Sequence, residues 1–80
     1  MQTTVIQHWK DRVVFTEDGP QPQVLGEDGQ LKVIVAGLEP GSRIPVHPEG
    51  RAMYHILEGT GWMTVDDQHF AISTGMLILT

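Results

Sequence analysis

The stretch "GWMTVDDQHFAISTGMLILT", residues 61–80, decides the fold class. Two runs rich in β-branched and aromatic residues flank the polar sequence Asp66-Asp67-Gln68, and a third apolar run follows Gly75. β-Branched and aromatic residues favour strands, whereas aspartate and glycine favour turns. The pattern predicts a hairpin that turns at Asp66-Asp67, followed by a further strand, "MLILT".

Turn signals recur at short intervals along the rest of the chain. They lie at residues 17–22, 26–30, 39–42, 47–50, 58–61 and 65–68. The runs between them are "RVVFT", "LKVIVAGL", "AMYHIL", "WMTV", "HFAI" and "MLILT". Short strands at such spacing are typical of a sandwich or a barrel. We therefore predict an all-β chain with about six or more short strands.

The N-terminal segment "TVIQHWKDRVVF", residues 4–15, is ambiguous. We interpret it as an edge strand, with a short helical turn as the less favoured alternative. No segment of the chain has the sustained apolar pattern of an amphipathic helix. A chain of 80 residues is expected to form one domain. We divide it into N-terminal strands and turns, residues 1–30, and a core that carries the motifs, residues 31–80.

Composition argues against several classes of function. Five basic and ten acidic residues give a net charge of −5, and the basic residues are scattered, so we expect no nucleic-acid partner. No apolar run approaches the roughly 18 to 20 residues that span a bilayer, so we expect no membrane partner. We see no signal peptide and expect a cytoplasmic protein. The chain has no cysteine and therefore no disulfide.

Two potential metal ligands, His47 and Glu49, lie close together in "HPEG". Alternate residues of an extended strand point to the same face, so both side chains could reach one ion. Imidazole and carboxylate groups are common ligands of non-haem iron and manganese. The alternative is that Pro48-Glu49-Gly50 is a surface turn and that His47 is a solvated loop residue.

Three further residues near this pair could bind a ligand. Arg43 and Arg51 carry guanidinium groups that suit an anion, and Tyr54 follows in the next run. We predict that they line a site for a small polar or anionic molecule. The alternative is that both arginines are simply solvated charges beside a turn.

Alternation along "AMYHIL" separates two faces of the predicted strand. If Tyr54 and Ile56 point inward, then Met53, His55 and Leu57 point outward. We interpret His55 as an outer-face residue. Trp9 and Trp62 are interpreted as core residues or interface anchors, and His8 and His69 as surface residues.

These stretches resemble the conserved motifs of the cupin family. Gly41, five residues and then His47 match the opening of the first cupin motif, and "HILEG" is similar to its usual strand end. The stretch "WMTVDDQHFAISTGMLILT" resembles the hairpin and the glycine-led strand that begin the second motif. The resemblance covers residues 31–80. It implies a small antiparallel β-barrel of the jelly-roll type, incomplete at its C-terminal end.

The sequence departs from the cupin pattern at the metal ligands. Glu49 stands where the motif has its second histidine, and Ala52 or Tyr54 stands where it has its glutamate. The Pro-x-Gly-x-x-His segment that would follow Gly75 is absent from the 80 residues. The resemblance therefore implies a degenerate site at His47 and Glu49, with iron, manganese, nickel or zinc as the candidate ions.

Three hypotheses about function follow. The first is a small-molecule binding module, and the second is a metal-dependent cupin enzyme of the dioxygenase, isomerase or epimerase type. The third is a non-catalytic structural homodimer. We predict a homodimer in which "MLILT" pairs with a second copy or with its "TTVIQHW" segment. Such pairing would bury Leu77, Leu79 and Trp9.

Overall fold

The computed structural model describes residues 3–45 and 50–80. The chain divides between residues 46 and 47 into two compact units. The described residues form six strands and one turn of 3-10 helix, Trp9–Arg12. All paired strands are antiparallel, so the prediction of an all-β protein is confirmed. In this part of the chain, no helix has the length and apolarity needed to cross a membrane.

The strands form three two-stranded ladders. The strands are β1 (Gln23–Glu27), β2 (Lys32–Val35), β3 (Met53–His55), β4 (Thr60–Val65), β5 (Gln68–Ser73) and β6 (Leu77–Leu79). β1 pairs with β2, β3 with β6 and β4 with β5. Over residues 3–45 and 50–80 these ladders do not join into a closed barrel, and a small β fold agrees with the predicted class.

The β1–β2 hairpin confirms the turn expected at "GEDGQ". Glu27 pairs with Lys32, and the loop between them closes through Asp28. The Asp28 N–H donates to the carbonyl of Leu31 at 2.8 Å. Asp28 Oδ1 accepts bonds from the N–H groups of Gln30 at 2.7 Å and Leu31 at 2.9 Å. An aspartate that bonds to the backbone two residues later favours a turn by itself.

The N-terminal segment is not the predicted edge strand. Residues Trp9–Arg12 form a 3-10 turn, in which the N–H of Asp11 donates to the carbonyl of His8 at 3.1 Å. The less favoured alternative was therefore the right one. The polar run Lys10-Asp11-Arg12 interrupts the apolar alternation that a half-buried strand requires. "RVVFT" is also not a strand, whereas the strand β1 lies in "QVLGE", where none was predicted.

The first unit packs most tightly around Gly37 and Val35. Val35 is 7% exposed and is the one buried apolar side chain among the described residues. A Cβ atom on Gly37 would lie 2.5 Å from Val13 Cγ1 and 2.7 Å from Phe15 Cε1. Because real Cβ atoms do not approach so closely, any larger residue at this position would force Val13 and Phe15 to move.

The β4–β5 hairpin of the second unit turns at Asp66-Asp67, as predicted. Val65 pairs with Gln68, and the ladder extends to Thr60 opposite Ser73. Asp66 has a φ of +52°, the sign that primed two-residue turns require at their first position. Aspartate tolerates this conformation better than most residues that have a side chain.

A corner separates the β4–β5 ladder from the β3–β6 ladder. Between the pairs His55–Leu77 and Thr60–Ser73, residues 56–59 of one stretch lie opposite residues 74–76 of the other, so the first stretch has one extra residue. The corner is held by backbone bonds: Gly75 N–H donates to Ile56 O at 2.7 Å, and Met76 N–H donates to Ser73 O at 3.1 Å. Gly59 and Gly75 have positive φ, which accommodates the change of direction.

Candidate interaction surface

The predicted metal ligands His47 and Glu49 lie outside the described residues. Of the predicted ligand-binding residues, Arg43 is exposed in the first unit, and Arg51 is exposed in the second. Tyr54 is half-buried in the second unit, on β3 opposite Ile78. Within residues 3–45 and 50–80, no three histidine, aspartate or glutamate side chains gather as a metal site would require.

Strand β3 has the two faces that alternation predicts. Tyr54 and Ile56 are half-buried, whereas Met53 and His55 are exposed. The prediction for Leu57 was wrong, because Leu57 is half-buried. It belongs to the corner, where the extra residue shifts the alternation by one position.

Four side chains form what we call the β3–β6 outer surface: Met53, His55, Leu77 and Leu79. Met53 pairs with Leu79, and His55 pairs with Leu77. The exposed fractions are 63% for Met53, 60% for Leu77 and 77% for Leu79. Residues 52–57 and 75–80 contain no Asp, Glu, Lys or Arg. Single exposed apolar residues are common, but a contiguous group on one face marks an interaction site.

The hydrogen-bond pattern shows which backbone groups of β6 face away from β3. The Thr80 N–H donates to Ala52 O at 3.0 Å, and the Ile56 N–H donates to Met76 O at 2.9 Å. The pairs Ala52–Thr80 and Ile56–Met76 are therefore hydrogen-bonded pairs. Hydrogen-bonded and non-bonded pairs alternate along an antiparallel ladder, so Tyr54–Ile78, which lies midway, is also a hydrogen-bonded pair. The N–H and C=O groups of Leu77 and Leu79 therefore point to the opposite edge. In the described part of the chain, β6 has no second partner strand at that edge.

The exposed side of the β4–β5 hairpin has an ordered aromatic pair. Trp62 stacks on His69 with 4.9 Å between ring centroids and an angle of 3° between the planes. Thr64 Oγ1 and His69 Nδ1 form a hydrogen bond of 2.9 Å. Trp62 is 68% exposed, so it is not a core residue within this chain. These contacts between the two strands stabilise the hairpin. The turn at residues 66–67 was the signal in the sequence that could have predicted that Trp62 and His69 meet.

A shallow groove of about 440 Å³ lies beside Trp9. Five consecutive residues, Gln7 to Asp11, line it, and the Lys10 ammonium lies 5.8 Å from the centroid of the Trp9 ring. Ligand sites usually enclose most of a ligand between several elements. This groove is built by a single exposed segment and does not define a site.

Comparison with known proteins identifies no relative. No family model matches the chain, and no curated protein or solved structure matches it. The cupin resemblance therefore stays a prediction from the motifs. The surface that the structure itself defines is the β3–β6 outer surface, together with the adjacent edge of β6.

Proposed function

We propose that the chain is a non-catalytic β module that works by assembly, as a cytoplasmic homodimer. The observation that supports this function is the β3–β6 outer surface beside the edge of β6. Three large apolar side chains there are more than half exposed, although the strands that carry them are short and uncharged. Exposed, uncharged edges of this kind favour pairing with another chain.

The two-stranded ladders also favour assembly. A ladder of two strands is marginal alone and gains stability from additional strands.

Light scattering coupled to gel filtration at micromolar concentration tests this proposal. We expect the mass of two chains, because burial of the apolar surface offsets the cost of association. A mass near 8.9 kDa, together with cooperative unfolding whose midpoint is independent of protein concentration, would contradict the proposal.

A second candidate function is the binding of a small polar or anionic molecule near residues 47–54. Support comes from the cupin resemblance and from two predicted residues on one stretch, the exposed Arg51 and the half-buried Tyr54. A divalent iron, manganese, nickel or zinc ion would bind to His47 and Glu49. The enzymatic version of this hypothesis needs further ligands, such as His55 or a residue from a second chain.

Metal analysis of protein purified without a histidine tag tests the second candidate. We expect the variant His47→Ala to lose any bound metal, because the site would lose its imidazole ligand. The variant His69→Ala is the matched control, since His69 pairs with Trp62 and Thr64. Sub-stoichiometric metal in the unmodified protein, or stoichiometric metal in the His47→Ala variant, would place the function elsewhere.

A further inference from the structure

We infer that the partner is a second copy of this chain joined edge to edge, with β6 antiparallel to the partner's β6. The pairing places Ile78 on the two-fold axis. This inference rests on the proposed function, assembly as a homodimer, and specifies the contact. It follows from the backbone groups of β6 that face away from β3.

The backbone groups at the edge of β6 are symmetric about Ile78. Leu77 and Leu79 each direct one N–H and one C=O outward, whereas the N–H and C=O of Ile78 bond to Tyr54. A two-fold axis through Ile78 places Leu77 opposite the partner's Leu79, and Leu79 opposite the partner's Leu77. Each of these two pairs exchanges two hydrogen bonds. All four outward groups of each copy are then satisfied.

The side chains of the two copies are compatible in this register. Across the joined sheet, one row runs Met53, Leu79, the partner's Leu77 and the partner's His55. The two outer surfaces become one continuous apolar strip, and the sheet reaches four strands, enough for independent stability. Each chain has a net charge of −5, but residues 75–80 contain no charged side chain. Like charges therefore do not meet across the new strand pair.

The edges of the β1–β2 ladder and of β3 are less suited to pairing with a second copy. The β1–β2 ladder has Glu27 and Lys32 at its turn end, where the two form a 4.0 Å ion pair. The stretch that contains β3 has Arg51 before the strand and Glu58 after it. Charged residues at an edge oppose the approach of another strand. The edge of β6 has no such protection over residues 75–80.

Amide hydrogen exchange on the unmodified protein tests the pairing without a mutation. We expect the amides of Leu77 and Leu79 to be protected at concentrations where the mass is that of a dimer, and to lose protection on dilution. The amide of Ile78, which bonds within the chain, is the internal reference. Unprotected Leu77 and Leu79 amides in a dimer would overturn the inference.

Disulfide trapping tests the register. The chain has no cysteine, so each single variant has one thiol. In the variant Ile78→Cys, the two thiols belong to a non-bonded pair with Cα atoms about 4.5 Å apart, within disulfide range. In the matched controls Leu77→Cys and Leu79→Cys, the equivalent Cα atoms are about 8 Å apart, too far to bridge. We expect covalent dimers from Ile78→Cys alone.

The outcomes separate the inference from the proposed function. Cross-linking through Leu77→Cys or Leu79→Cys in place of Ile78→Cys would overturn the register. A dimer with no cross-linking and unprotected edge amides would indicate packing through another surface, so the inference would fail and the proposed function would stand. If the unmodified chain is a monomer, both fail. If Ile78→Cys does not fold, hydrogen exchange on the unmodified protein decides.

Discussion

At the scale of single residues, one carboxylate organises the β1–β2 loop. Asp28 Oδ1 accepts backbone hydrogen bonds from both Gln30 and Leu31. These bonds, first that of Gln30 and then that of Leu31, favour the ionised carboxylate and hold the pKa of Asp28 below its ordinary value of 3.8. The charge of this residue and the conformation of the loop are therefore coupled.

We expect the loop to weaken in acid. Because the folded pKa of Asp28 is lowered, its contribution to stability is complete above pH 3.8 and is lost as the pH falls through the folded pKa. The variant Asp28→Asn keeps an oxygen acceptor and should lose this acid dependence, whereas Asp28→Ala should loosen the loop at every pH. Amide chemical shifts of Gln30 and Leu31 during a pH titration measure both effects. Equal acid dependence in Asp28→Asn and the unmodified protein would contradict this account.

Gly37 is the residue whose replacement should affect the first unit most clearly. In the variant Gly37→Ala, the new methyl group would overlap Val13 and Phe15, and moving them should cost about 1–3 kcal/mol of unfolding free energy. Gly26→Ala is the matched control, because nothing lies within 4 Å of its added methyl group. Urea denaturation of both variants measures the difference. Equal stability of the two would show that Val13 and Phe15 move aside freely.

At the scale of elements, the β4–β5 hairpin depends on the conformation of its turn. Alanine in the left-handed conformation is unfavourable by roughly 1–2 kcal/mol, so Asp66→Ala should destabilise the hairpin because Asp66 has a φ of +52°. Asp67→Ala is the neighbouring control, and Asp66→Gly should retain stability. Thermal unfolding followed by circular dichroism compares the three. A larger loss in Asp67→Ala than in Asp66→Ala would mean that side-chain contacts, not backbone strain, control the turn.

Elements with local signals were the ones that the sequence predicted correctly. The turns at Asp28 and Asp66-Asp67 have side chains that favour a turn by themselves, so both turns were expected, and the second also as a hairpin. Strand β1 was missed because its residues "QVLGE" follow Pro22, include Gly26 and have few β-formers. The predicted edge strand at residues 4–15 was wrong because three consecutive polar residues form a local turn there.

The candidate surface could be predicted only in part. The apolar run "MLILT" was recognisable as a strand from its composition, and its exposure was expected from the cupin resemblance. Its register with β3 was not, because Tyr54 and Ile78 are distant in sequence and no turn connects them directly. Leu57 is half-buried because of the extra residue at the corner. That residue can be recognised only when the registers of both ladders are known.

At the scale of the whole molecule, association should stabilise the folded chain. A dimer that dissociates as it unfolds loses about 1.4 kcal/mol of apparent stability for each tenfold dilution. We expect this dependence in chemical denaturation of the unmodified chain. Leu79→Lys should abolish it, because a charge at the edge of β6 repels its counterpart and opposes strand pairing. Val5→Lys is the control, since Val5 is similarly exposed in the first unit. A concentration-independent midpoint in the unmodified chain would show that association does not stabilise the fold.

The corner at residues 57–59 also determines which changes of chain length the protein can tolerate. One stretch has one residue more than the other between the two ladders, and this difference keeps Tyr54 half-buried opposite Ile78. Loss of one codon from residues 57–59 would shift β3 by one position against β6. Met53 would then take the place of Tyr54, and Tyr54 that of the exposed His55. The corner should therefore tolerate replacement of the exposed Glu58 more readily than the loss of a residue.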